Sequence, residues 1–366
     1  MLNSGIIPAL LIGCVGTVVL SGQNTPSAVL LVLSKTDQTL STVDPATLKV
    51  LGRVPSGPDP HEVVASADAK FAYISNYGSG AYNTLTAVDL VAQKALAPVD
   101  LGALRGPHGL AFVGGRVWFT AEANKVIGSY DPSAKKVDWV LGTGQNRTHM
   151  IYVFDDLKRM ITSNVSSASM SIIEKSAGGG RGRGGPPPGM PDGRGRGPGS
   201  PPTGPPNGRG PMGSPQGEWD ETVVAVGRGA EGFDVSPDGK EIWAANAQDG
   251  TISIVDIAAK KVTQTLSANV MGANRLKFTP DGTRVLVSTL SGPDLAIFDA
   301  KTRQDVKRLK IGRGAAGIQM QPDGARAYVA CTPDDYVVVV DLKSLDVVGH
   351  IEAGKQPDGL AWAVRH

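Results

Sequence analysis

The sequence predicts an all-β protein, a seven-bladed propeller. Two observations carry this. The chain is rich in short Val/Ile/Thr runs punctuated by 47 glycines and 26 prolines in 366 residues, the composition of many short strands joined by tight turns. It also repeats itself at a period near 42 residues, with no helical pattern between the repeats, and a period of that length points to radial or stacked repeat architectures.

The clearest repeat runs through residues 241–246, 251–256, 261–266 and 274–282. Each segment alternates apolar and polar side chains, as half-buried strands do. An acidic residue ends the third strand of every unit: Asp44, Asp89, Asp131, Glu174, Asp256, Asp299 and Asp341. A carboxylate there accepts backbone N–H bonds and opens the next turn. Three Pro-Asp-Gly turns end at Gly239, Gly282 and Gly324, with glycine supplying the positive φ. Seven acids count seven units, and a blade buries its faces only against its neighbours, so the ring must close. The first repeat begins in a second strand (residues 30–33) and the last ends in a first strand (residues 359–364). Pairing of those two strands is the expected closure, with 29–366 as the propeller.

These repeats resemble the YVTN repeats of extracytoplasmic YncE-like propellers, through Trp-Ala-Ala-Asn246, Tyr-Ile-Ser-Asn76, Thr-Ile-Ser-Ile-Val-Asp256 and the Pro-Asp-Gly turns. The resemblance implies the fold. It leaves function open, because related propellers include binding proteins, surface proteins, lyases, lactonases and metal or haem enzymes. It also implies single-stranded DNA as a ligand to consider. Too few aromatic residues fall at the expected mouth to favour it.

Before the repeats, residues 6–20 form an apolar run followed by a polar stretch. The run is too short to span a bilayer and fits the apolar region of an export signal, expected to occupy 1–22. No Lys or Arg precedes it. The sequence Leu-Ile-Gly-Cys14 resembles a lipobox, which would lipidate Cys14. Either arrangement places the mature chain in the periplasm or outside the cell, with no transmembrane span. A formal charge of +2 excludes a composition-driven nucleic-acid or polybasic membrane binder, and two cysteines exclude a disulfide framework.

The fourth unit carries an insertion. Glu174 and Glu231 are 57 residues apart where the same interval elsewhere is 17 to 19. Residues 176–217 hold 16 Gly, 11 Pro and five Arg, a composition that cannot bury enough apolar surface to offset its ordering entropy. A disordered segment is expected, leaving the ring on the face opposite the mouth. It serves as a spacer, an adhesive loop or, through its Arg-Gly pieces, a polyanion contact.

The position just before each innermost strand holds His61, His108, His149, Glu231, Asn274, Ala316 and Asp358. In a propeller these converge on one end of the central channel. Three histidines and Glu231 are a donor set for zinc, copper or iron. They also serve as polar lining without a metal. Three residues upstream, Arg105, Arg228, Arg313 and Lys355 suggest a basic collar that attracts anions. Asn76, Asn164 and Asn246 at the second-strand ends, with Tyr77 and Tyr82, are expected to add ligand contacts on the same face. The functional expectation is a monomeric exported propeller that binds a small anionic or polar ligand, or another exported protein, at this mouth. The alternative is a metal-dependent hydrolase or lyase of the lactonase or streptogramin-lyase sort.

Overall fold

The protein is described by a computed structural model covering residues 1, 27–176 and 219–365. The expected signal segment, the lipobox at Cys14 and almost all of the insertion lie outside the described residues. Seven antiparallel sheets of four strands, one with an additional short strand, follow one another around a ring. We number them as blades in chain order. Blade one closes the ring: Pro357–Val364 pairs with Ala28–Ser34, which continues into Thr39–Val43 and Val50–Pro55. Blades two to seven begin at Pro60, Pro107, Thr148, Ala230, Ala273 and Ala315.

Each blade is built as its residues dictate. The middle strands do not alternate as expected but are continuous apolar runs, such as Ile-Trp-Ala-Ala between Glu241 and Asn246, buried on both faces because neighbouring blades cover both sides. The outermost strands alternate half-buried and exposed residues, as in Asp346–Ile351. The third-strand acids hold the following turn. Asp89, Asp131, Asp299 and Asp341 each accept two backbone N–H bonds. Glu174 departs from this and pairs with Lys260 of blade five. The fourth strand of blade two is split into Lys94–Ala95 and Val99–Asp100, with Pro98, which has no N–H to give the ladder, between them.

One irregularity recurs in every blade and positions the site. Where the first strand meets the second, two residues of the first oppose one of the second, for example His61 and Glu62 against Ser75, between Pro60↔Asn76 and Val63↔Ile74. The same extra residue occurs in the other six blades. Such a bulge leaves two consecutive residues outside the ladder and re-aims their side chains. Those pairs are 61–62, 108–109, 149–150, 231–232, 274–275, 316–317 and 358–359. The first member of every pair lines the channel mouth, and four second members, Glu62, Met150, Arg275 and Gly317, line a second cavity.

Candidate functional site

The first member of each bulge pair lines a cavity of about 390 Å³ at one end of the channel, so all seven ring residues from His61 to Asp358 meet there. The strands deliver a second set to the same space. The residue just after the second strand contributes Lys35, Tyr77, Leu290 and Thr332. In blade three that position is Glu122, buried beneath the cavity. Two residues before the ring the chain adopts positive φ in every blade. Gly106, Gly229, Gly272 and Gly314 occupy that slot in four blades, and Asp59, Arg147 and Gln356 in three. A side chain in the left-handed region costs free energy, and such residues gather at functional sites. Both Asp59 and Arg147 direct charge at cavity residues.

The centre of the site is His149, almost fully buried. Its Nδ1 bonds an Oε of Glu122, and its Nε2 lies 3.3 Å from Oε1 of Glu231. Burial pulls the imidazole toward the neutral form. The two carboxylates outweigh it and hold the pKa of His149 above its ordinary value. The carboxylates respond in the opposite sense. Burial opposes their charge, but the contact with His149, then the charges of His149, Arg147 and Arg275, bring Glu231 down to about 2. Glu122 is likewise held below the usual carboxylate range by His149, Tyr77 and Arg147. The Tyr77 hydroxyl donates to Glu122 Oε2 at 2.6 Å. Arg147 spans both acids, with Nη2 3.1 Å from Glu231 and Nε 3.6 Å from Glu122.

His108 stacks on His149 with ring centroids 3.8 Å apart. It is buried, and its Nδ1 has no hydrogen-bond partner among the described residues. Burial, then the positive charge of His149, pushes its pKa well below the ordinary histidine value, so it is neutral. Donor atoms of His108, Glu122 and His149 lie within 4.8 Å of one another, a spacing from which small side-chain movements reach one ion.

His61 stands apart. Its ring nitrogens face Lys35 Nζ at 3.0 and 3.2 Å, and Lys35 also pairs with Asp358 at 3.2 Å and Asp59 at 3.6 Å. Burial, opposed by Asp358 and assisted by Lys35, lowers the pKa of His61. The donors that converge are therefore His108, His149 and Glu122, while Glu231 sits beside them and His61 belongs to a separate Lys35–Asp358 cluster.

The other sequence-derived candidates do not line the cavity. Arg228 and Arg313 are exposed and pair with Asp249 and Asp334 of their own blades. Arg105 bonds the carbonyl of Ala81, and Lys355 lies in a separate surface cleft. The backbone N–H groups of all four bond a side chain of the turn after the second strand, so their recurrence reflects the turn. Asn76, Asn164 and Asn246 are buried within their blades and bond neighbouring Ser and Thr hydroxyls or, in Asn76, the carbonyl of Ser56. Tyr77 reaches the cavity; Tyr82 is exposed.

Sequence reasoning missed Lys35, Glu122, Arg147 and Arg275. The signal for the first two was one residue away. Successive strand residues face opposite sides, so the residue at the second-strand end enters the blade and the next one enters the cavity. For Arg147 the signal was a charged residue in a slot that four other units fill with glycine.

No family model and no curated protein matches the chain. Solved structures do. A candidate 6-phosphogluconolactonase from Bacteroides fragilis NCTC 9343 superposes with a TM-score of 0.67 at 17% identity, over 93% of this chain and 99% of that one. A functionally unknown protein from Desulfotomaculum acetoxidans DSM 771 gives 0.66 at 14%, over 90% and 98%. Kuenenia stuttgartiensis hydrazine synthase gives 0.61 at 17%, over 82% and 89%. At these identities the likeness is one of fold.

Proposed function

We propose that the protein binds a small polar or anionic molecule in the cavity at the channel mouth. One observation carries this reading. Buried His149 and Glu122 are joined to half-buried Glu231, Arg147 and Tyr77 in one charged network beside open space. Burying charges costs several kcal/mol per ion and stabilises a fold poorly, so concentrating them here is consistent with a function other than folding. Lys35 and Arg147 offer cationic contacts, and Tyr77, Asn274 and Thr332 offer neutral ones. The apolar run at residues 6–20 and the resemblance to YncE-like propellers favour an exported protein that takes its ligand from the extracytoplasmic medium. Among the described residues no helix is long and apolar enough to cross a membrane.

A second reading, a metal-dependent hydrolase or lyase, is favoured by the unpartnered Nδ1 of His108 beside His149 and Glu122. The donors suit a divalent ion, with Glu122 either a ligand or the carboxylate that orients His149 through Nδ1. A bound ion would polarise a carbonyl or activate a water. Arg147 and Lys35 would orient a carboxylate-bearing substrate beside it.

Elemental analysis of the purified protein separates the readings. One equivalent of metal that disappears in a His108→Ala/His149→Ala double variant favours the hydrolase or lyase reading. Without metal, thermal-shift titration with citrate, gluconate and inorganic phosphate tests the binding reading. A rise in Tm with at least one of them, reduced in Lys35→Gln and Arg147→Gln, is expected. No rise with any of the three would remove the anionic ligand.

A further inference from the structure

The second member of each bulge pair follows a ring residue in the first strand. It is glycine in four blades: Gly109, Gly232, Gly317 and Gly359. A Cβ at any of them would overlap a backbone carbonyl of the next blade. Blades two, four and six depart from this with Glu62, Met150 and Arg275, of which Glu62 and Arg275 are charged. Their long side chains cross the axis and meet as an ion pair between residues 213 apart in sequence. Arg275 lines both the mouth cavity and a second cavity of about 330 Å³ further along the channel, whose floor includes Glu62. The pair is thus a partition with a chamber on either side.

The far chamber differs in chemistry from the mouth. Most of its wall side chains are apolar, among them Leu110, Phe112, Ile151, Ile318 and Leu360, with Gln319 as a neutral polar group. Its charged groups are Glu62, Arg275 and Lys277, a lining with one more positive charge than negative. Arg275 is buried. Its guanidinium is met by Glu62 through Nη2 and by the two oxygens of Asn274 through Nη1, at 3.1 and 3.3 Å. An apolar chamber with a guanidinium at its floor is shaped for a molecule with an apolar body and one anionic head. A monocarboxylate fits better than a phosphate dianion, because a lining with one net positive charge leaves a second negative charge uncompensated.

We propose that the far chamber binds an amphipathic monocarboxylate whose head group takes the place of Glu62 on Arg275. Glu62 is the internal stand-in for that head group. On binding it turns toward Lys277, whose Nζ is 3.5 Å from Asp234, too far for a strong hydrogen bond. The proposal is independent of the reading of the mouth cavity.

The test is calorimetric titration of the full chain with 3-phenylpropionate, and with 3-phenylpropanol as the neutral control. Expected is saturable binding of the acid and not the alcohol, at least tenfold tighter in Glu62→Gln, which removes the internal competitor. The methyl resonance of Met150, which lines the far chamber, should shift on binding. His108→Ala, which alters only the mouth cavity, should leave the affinity unchanged. Should Glu62→Gln fail to fold, the neutral pair Glu62→Gln/Arg275→Gln serves instead and should bind acid and alcohol equally. The proposal fails if the acid does not saturate, if Glu62→Gln leaves its affinity unaltered, if the neutral pair keeps the preference for the acid, or if His108→Ala abolishes binding.

Discussion

Blades two to four and blades five to seven share one backbone and differ in what they place on it. At the ring position the first group carries His61, His108 and His149; the second carries Glu231, Asn274 and Ala316. After the second strand the first group has Tyr77, Glu122 and Val165, against Ala247, Leu290 and Thr332. In the positive-φ slot it has Asp59, Gly106 and Arg147, against three glycines. The bulge that aims these residues inward is present in both arcs. The scaffold is therefore paid for by all seven blades, and the chemistry is concentrated in one arc. Each residue of the polar arc has an equivalent in the other arc that serves as its internal control.

The comparison presupposes a closed ring, and the largest expected effect comes from opening it. Residues 357–364 supply the innermost strand of blade one and the buried Leu360, Ala361 and Ala363. Deleting residues 356–366 uncovers one face of blade two and leaves a strand edge exposed along blade one. The expected outcome is loss of the cooperative thermal transition for the whole domain. A truncated chain that melts within a few degrees of the full one would show that the blades hold together without closure.

The next effect distinguishes the arcs directly. Glu122→Ala removes one carboxylate from a buried, positively charged His149 and from Arg147 and Tyr77. Breaking such a pair on one side costs about 3–5 kcal/mol. Thr332→Ala, at the equivalent position of blade seven, removes one hydroxyl bond to the carbonyl of Pro357 and should cost about 1 kcal/mol. The pH dependence of the first loss has a definite sign. His149 has a raised pKa when folded, so its contribution is complete below its unfolded value, about 6.5, and is lost as pH rises through the folded one. Glu231 is lowered to about 2 and Glu122 is also lowered. Their contribution is complete above about 4.5 and is lost as pH falls through the folded values. The difference in Tm between the metal-free protein and Glu122→Ala should therefore be greatest between about pH 4.5 and 6.5. A difference that does not vary with pH would mean that His149 is neutral in the fold.

The unevenness between arcs also explains how far the sequence could be read. The short apolar strands and the third-strand acids recur around the ring, and Pro-Asp-Gly turns recur in three units, so the blade count, the strand order and the closure were legible from local physics alone. The ring from His61 to Asp358 was legible because a repeat aligns it. What was not legible lies where repeats break. Lys35, Tyr77 and Glu122 share a position but no residue type, so no periodicity marks them. Arg275 and Glu62 meet only because each follows a ring residue in its bulge pair, and a bulge leaves no composition of its own. Conversely, the recurring Arg105, Arg228, Arg313 and Lys355 did repeat, for the reason that a shared turn needs a capping bond from each unit's own blade. Recurrence marked the scaffold, and departures from it marked the chemistry.

The smallest effects test that last inference. Arg147 and Gln356 both occupy the positive-φ slot that glycine fills in four blades. Glycine there relieves a strain of about 1 kcal/mol but adds backbone freedom to the unfolded chain, so Gln356→Gly should change stability by less than about 1 kcal/mol. Arg147→Gly relieves the same strain and removes the guanidinium that spans Glu122 and Glu231. The two acids keep His149 between them, so the net loss should stay near 1–2 kcal/mol, the scale of a charge-assisted hydrogen bond. The imidazole signal of His149 should titrate at higher pH, because a positive neighbour has gone. Equal stability changes in the two variants, with an unmoved His149 titration, would reduce Arg147 to one more turn residue and erase the contrast between the arcs at that position.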